Sequence, residues 1–186
     1  TEPSIKEGGT TMFGGSSSTQ NAVGTMGIRS GKWYFESTIT NSGGVGTENH
    51  GFGVVAADQI TALSTGAGND IGYVSGGWAS AGNGVGRNNN SAASGFSYIT
   101  SPAINKVLGC AIDMDNGKIW WHNEGTWQTK SGTVGNPANG TNAAFTNLLT
   151  ATDEHLLPAG GLYVNDGNQV RVMNFGGYAQ AVFTAV

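Results

Sequence analysis

Charge is scarce in this chain: of 186 residues only 8 are Lys or Arg and 12 are Asp or Glu, leaving a formal net charge of −4. A protein that displaces counterions from nucleic acid needs clustered basic residues, and here they are scattered from Lys6 to Arg171, so no nucleic-acid partner is expected. Cysteine is nearly absent as well. Cys110 stands alone, which excludes an intrachain disulfide and any multi-cysteine zinc site. No apolar run reaches the roughly 18 to 20 residues that a bilayer-spanning helix requires, and the opening TEPSIKEGG has neither the basic start nor the apolar centre of a signal peptide. The chain reads as soluble, without membrane insertion. Opening on Thr1 and not on Met, it is expected to be a processed product or an excised piece.

What is present in quantity is glycine, at 32 residues, with Asn, Ser and Thr bringing the four to close to half the sequence. They fall in clusters between short apolar stretches, the distribution of strands joined by turns. With 38% hydrophobic and 9% aromatic residues there is enough apolar material for one sizeable core, so a single domain over 1–186 is expected.

The strand KWYFESTIT places Trp33, Phe35, Ser37 and Ile39 on one face and Lys32, Tyr34, Glu36 and Thr38 on the other, with the Trp33 face toward the core. Further strands are expected at 52–57, 71–74, 107–113, 118–122, 157–164 and 170–175, and a closing one at 179–186. One or two helical turns are expected at 142–150, where Phe145, Leu148 and Leu149 share a helical face. Hairpins are read at Asp115-Asn116-Gly117, with Asn-Gly suited to a type I′ turn, and at Asn165-Asp166-Gly167-Asn168. The stretches 41–50, 64–70, 75–94 and 123–140 are then loops. Many short strands without long helices imply an all-β, two-sheet antiparallel sandwich.

Gly31-Lys32-Trp33-Tyr34-Phe35-Glu36, then Phe52-Gly53-Val54, Ile71-Gly72-Tyr73, the run from Leu108 through Cys110 and Asp113 to Lys118, Leu157-Pro158-Ala159 and Asn174-Phe175-Gly176 together resemble a SPRY domain, over residues 22–177. The resemblance implies a bent, jelly-roll-like sandwich of the concanavalin type, used for binding and not for catalysis. The low-charge, Asn/Gly/Thr/Ser-rich composition is similar to that of domains in bacteriophage tail and other virion proteins. Weakly charged surfaces resist salt and do not attract nucleic acid, which suits densely assembled extracellular machinery.

Catalytic constellations are thin. Asp113 and Asp115 lie two apart and could serve as an acid and base pair, but they flank a turn in which Asp favours local backbone bonding. His50, His122 and His155 form no metal motif, Cys110 sits in an apolar strand as a small core residue, and GNGVG at 82–86 lacks the third glycine of a dinucleotide fingerprint. No cofactor is expected. A calcium ion held by loop carboxylates such as Asp70, or Asp153 with Glu154, is an open alternative. Asn89 and Asn139 head Asn-X-Ser/Thr acceptors, meaningful only in a glycosylating route.

Aromatics among amide-rich loops are the remaining signal, since a shallow sugar site combines a stacking ring with Asn, Arg or backbone groups. Trp78 with Asn83, Arg87, Asn88 and Asn89 is the first candidate, and Trp127 with His122, Asn123 and Glu124 the second. In the rival reading each Trp folds back to cap a sheet edge. Of Trp120 and Trp121, adjacent on a strand, at least one is core. The leading expectation is a non-enzymatic module on a virion surface, extracellular after synthesis in a host cytoplasm, recognising a host-surface glycan or protein. A capsid-decoration or tail protein contacting neighbouring virion subunits, with a closed homo-oligomer as its usual form, and an intracellular peptide-binding adaptor are the alternatives.

Overall fold

The structure, a computed structural model, describes residues 4–6, 11–14, 18–41, 51–63, 70–81, 84–93, 96–97, 104–148, 155–164 and 169–175. Within these the strands are β1 (Ser4–Lys6), β2 (Thr11–Phe13), β3 (Ser18–Val23), β4 (Lys32–Asn41), β5 (Phe52–Ala56), β6 (Gly77–Ser80), β7 (Gly86–Asn88), β8 (Ser91–Ala92), β9 (Phe96–Ser97), β10 (Val107–Asp113), β11 (Lys118–Asn123), β12 (Thr126–Trp127), β13 (Thr129–Lys130), β14 (Thr133–Val134), β15 (Leu156–Val164) and β16 (Val170–Asn174). They form a seven-stranded sheet in the order β1-β2-β16-β4-β10-β11-β12, a six-stranded sheet in the order β3-β15-β5-β6-β7-β8, and a small sheet β14-β13-β9. Every pairing is antiparallel. The expected all-β sandwich is the observed architecture.

Period-two alternation decides which side chains fill it. On β4, Phe35, Ser37 and Ile39 are buried, and on β10 so are Leu108, Cys110 and Ile112, as the alternation implied. From the opposite sheet Phe52, Val54, Ala56, Trp78 and Leu156 meet Phe35, Leu108, Cys110 and Ile112 in one cluster that also holds Ile119 and Trp121. Gly53 permits this closeness: a Cβ there would collide with the backbone of Trp78 on the neighbouring strand. The outer face of the six-stranded sheet is covered separately by Leu63, Ile71 and Val74, which pack on Val55, Ala79, Leu157 and Ala159.

Several expectations are corrected. Residues 71–74 are not a strand: Ile71–Tyr73 is a single 3-10 turn, capped by the Asp70 carboxylate, which accepts the Ile71 N–H at 2.7 Å. A second 3-10 segment spans Ala57–Leu63. The expected loops 75–94 and 123–140 contain β6 to β8 and β12 to β14, strands of two to four residues, too short to display an alternation. Residues 142–148 are not helical, because Ile119 N–H donates to Phe145 O while Ala144 N–H donates to Ile119 O, tying the segment to β11. The turn at 114–117 is a four-residue loop between the paired Asp113 and Lys118, with positive φ at Gly117 and not at Asn116; Asp113 accepts both the backbone and side-chain N–H of Asn116, at 3.0 Å each. A turn with two positive φ values, the type I′ requirement, occurs instead at Asn89 (49°) and Asn90 (59°), between Asn88 and its partner Ser91. The second expected hairpin is a crossover: β15 and β16 belong to different sheets. The turn at 165–168 and the expected closing strand at 179–186 lie outside the described residues.

Candidate functional site

The register across β4, β10 and β11 sets Glu36, Gly109 and His122 in one row on the outer face of the seven-stranded sheet. Because Gly109 has no side chain, the His122 imidazole lies over it; a Cβ at 109 would fall within the ring. From β4, Tyr34 reaches across and lies beside His122, with centroids 5.8 Å apart and planes 17° from parallel. Trp127 on β12, paired with His122, meets the imidazole edge to face at 4.7 Å.

The hydrogen bonds run in one direction. Gly125 N–H donates to His122 Nδ1 at 3.0 Å, so in the neutral ring the proton resides on Nε2. That nitrogen lies 2.7 Å from Tyr34 Oη and donates to it, and Tyr34 O–H donates to Glu36 Oε1 at 2.6 Å. Asn174 Nδ2 from β16 donates to Glu36 Oε2 at 3.1 Å. Burial holds the His122 pKa below its ordinary value, against the opposing pull of Glu36 and Glu124. Burial, then the bond to Glu36 and that carboxylate's charge, push the Tyr34 hydroxyl well above the usual tyrosine range. The network fixes the geometry of the two rings and the carboxylate.

What this leaves at the surface is Tyr34, 46% exposed, with Trp127 and Glu36 half-buried around a buried His122. Beside them the carboxylate of exposed Glu124 accepts the Val107 N–H at 2.6 Å and pairs with Lys106 at 3.4 Å; the backbone bond first, then Lys106, holds its pKa down. Asn123 is half-buried at the end of β11. The second sequence candidate is thus brought together around His122, and Tyr34, Glu36 and Asn174 are its unforeseen members. Alternation had placed Tyr34 and Glu36 on the face away from the core; only the three-strand register shows that they meet His122.

The first candidate is dispersed. Trp78 is fully buried in the main core and its Nε1–H donates to Asn147 Oδ1 at 3.0 Å, so it offers no ring to a ligand. Its Gly- and Asn-rich surroundings resembled a loop because the strands that bury it are short. Asn88 Nδ2 donates to Gly77 O at 2.9 Å while its Oδ1 accepts from Asn147, which ties it to the frame. Arg87 lies on the other side of the strand, over the Tyr73 ring at 5.2 Å, and Asn89 is exposed in the β7–β8 turn. Asn83 lies outside the described residues.

The other chemical candidates are structural. Asp113 is buried beside Lys32 at 3.8 Å, and the Asp115 carboxylate accepts the Gly31 N–H at 2.8 Å, so each carboxylate stabilises a turn. Burial pushes the Cys110 thiol well up, away from the thiolate that a nucleophile needs. Among the described residues no group of three or more His, Cys, Asp or Glu comes together as a metal site; Asp70 is turned inward as a cap, and Asp153 and Glu154 lie outside those residues. No described helix is long and apolar enough to cross a membrane.

No family model matches the sequence, and neither does any curated protein. Among solved structures the chain is similar to the SPRY domain of human HERC1, with a TM-score of 0.67 and 15% identity over 92% of this chain and 91% of that one. It is likewise similar to another human SPRY domain, with a TM-score of 0.62 and 16% identity over 96% of this chain and 98% of that one. At such identities the likeness speaks for the fold alone: this chain has the SPRY-domain fold.

Proposed function

We propose that the protein is a non-enzymatic recognition module whose binding surface is the outer face of the seven-stranded sheet around Tyr34, Trp127 and Glu36. The observation that carries this reading is the exposed Tyr34 ring held in place at its hydroxyl by His122 and Glu36. A solvent-facing aromatic with its orientation fixed binds with little further loss of conformational entropy. The committed hydrogen bonds of His122 and Tyr34, and the burial of Cys110, the chain's single cysteine, favour binding over catalysis.

The ligand on this reading is a glycan or a protein. For the setting, a virion surface rests on composition alone, with 32 glycines and 11% charged residues. The likeness to two human SPRY domains favours the second reading, an adaptor that holds a peptide of a protein partner. Glycan and peptide arrays probed with wild type and with Tyr34→Ser/Trp127→Ser test the surface. Hits lost in that double variant and kept in Tyr73→Ser/Arg87→Ser support it; the reverse pattern assigns recognition to the other sheet.

A further inference from the structure

We infer that the Tyr34 surface receives a cationic side chain, Lys or Arg, presented by a protein partner; this deepens the proposed function and rests on the surface assigned there. Charge supplies the argument. Among the described residues the ion pairs are Lys32 with Asp113 and Lys106 with Glu124, each locally neutral. Among the same residues Glu36 has no such counter-charge. Its two oxygens accept neutral donors, Tyr34 O–H and Asn174 N–H, and each carboxylate oxygen retains a further lone pair. The remaining basic group in the network is His122, whose Nδ1 is occupied as an acceptor by Gly125, so the imidazole stands neutral behind the carboxylate.

The aromatic geometry suits the same guest. Tyr34 lies beside His122, nearly coplanar with it and joined through its hydroxyl, and is 46% exposed, while Trp127 stands nearly perpendicular to the imidazole, at 81°. The two rings and the carboxylate border one surface, and a cation over a tyrosine or tryptophan face is attracted by the ring quadrupole as well as by the charge. Donation of the Tyr34 proton toward Glu36 enriches that ring further. A neutral sugar would satisfy the rings and leave the carboxylate uncompensated. The chain's net charge of −4 steers a basic partner in the same sense.

The test is calorimetric titration of the protein with a capped pentaarginine peptide and, separately, with chitotriose, at low and at physiological ionic strength. The inference expects saturable peptide binding that weakens with salt, about tenfold weaker in Glu36→Gln, where the amide keeps the acceptor for Tyr34 and loses the charge. Tyr34→Ser should weaken it comparably, and Lys32→Gln, on the same face but paired with Asp113, should leave it within about twofold. Chitotriose binding that Tyr34→Ser abolishes and Glu36→Gln preserves would overturn the cationic guest while upholding the surface. Peptide binding indifferent to both Tyr34→Ser and Glu36→Gln, or no peptide binding at all, would also overturn it; indifference to Tyr34→Ser would count against the surface as well.

Discussion

His122 lies across Gly109, its antiparallel partner on β10, and fills the space that a side chain at 109 would need. The glycine thereby shapes the proposed recognition surface without contributing a side chain to it. Gly109→Ala must lift the imidazole, which strains the contacts with Tyr34 and Trp127 and pulls Nδ1 from the Gly125 N–H. We expect a loss of about 1–3 kcal/mol, the usual cost of overpacking, in urea unfolding. Amide exchange at Gly125 should accelerate in the same variant. A wild-type unfolding midpoint would show that His122 does not hold this position.

Trp78 separates frame from surface. It is fully buried between the sheets, so Trp78→Ala should cost about 3–5 kcal/mol, the range for deleting a large core aromatic. Chemical denaturation measures this directly, and a cost below about 1 kcal/mol would mean that the ring does not occupy the core.

Asp70 gives the protein a pH signature. Burial raises its pKa from 3.8 to about 6, against the opposing effects of the Ile71 N–H, Arg171 and Arg87. A folded-state pKa above the unfolded one means that the native state holds the proton more tightly, so the associated stability is present below about pH 4 and is lost as pH rises through about 6. Two pKa units correspond to roughly 3 kcal/mol. His122 acts in the opposite sense: its pKa is lowered in the fold, so its contribution is present above pH 6.5 and lost as pH falls through the folded value. Comparison with Asp70→Asn isolates the first effect. The variant should gain stability relative to wild type between pH 4 and pH 7, and a constant difference over that range would contradict the buried carboxyl.

The buried half of this molecule was more legible in the sequence than the exposed half, for a physical reason. In β4 large apolar residues alternate with polar ones, and in β10 with glycine and alanine, over seven or more positions, and a strand of that length has one way to face a core. Around Trp78, Gly, Ala and Ser occupy the strand, so burial there depends on β5 and β7, which alternation within four residues cannot announce. Trp120 and Trp121 show both sides of this. Their opposite orientations followed from the pleat, whereas the burial of Trp120 depends on Thr141, which accepts its Nε1–H at 2.8 Å, and on Ala143. The candidate site was half legible. His122 and Trp127 stood out as neighbours in sequence, while Tyr34 and Glu36, some ninety positions away, required knowledge that Gly109 pairs with both flanking strands.

The measurement that bears most directly on the central claim is aromatic side-chain NMR during titration with a ligand selected from the arrays. Recognition at the outer face of the seven-stranded sheet predicts saturable shifts of the Tyr34 and Trp127 ring signals, with the Trp78 indole unmoved in the core. Shifts concentrated at Tyr73 and the Arg87 to Ser91 turn, with Tyr34 and Trp127 silent, would contradict it.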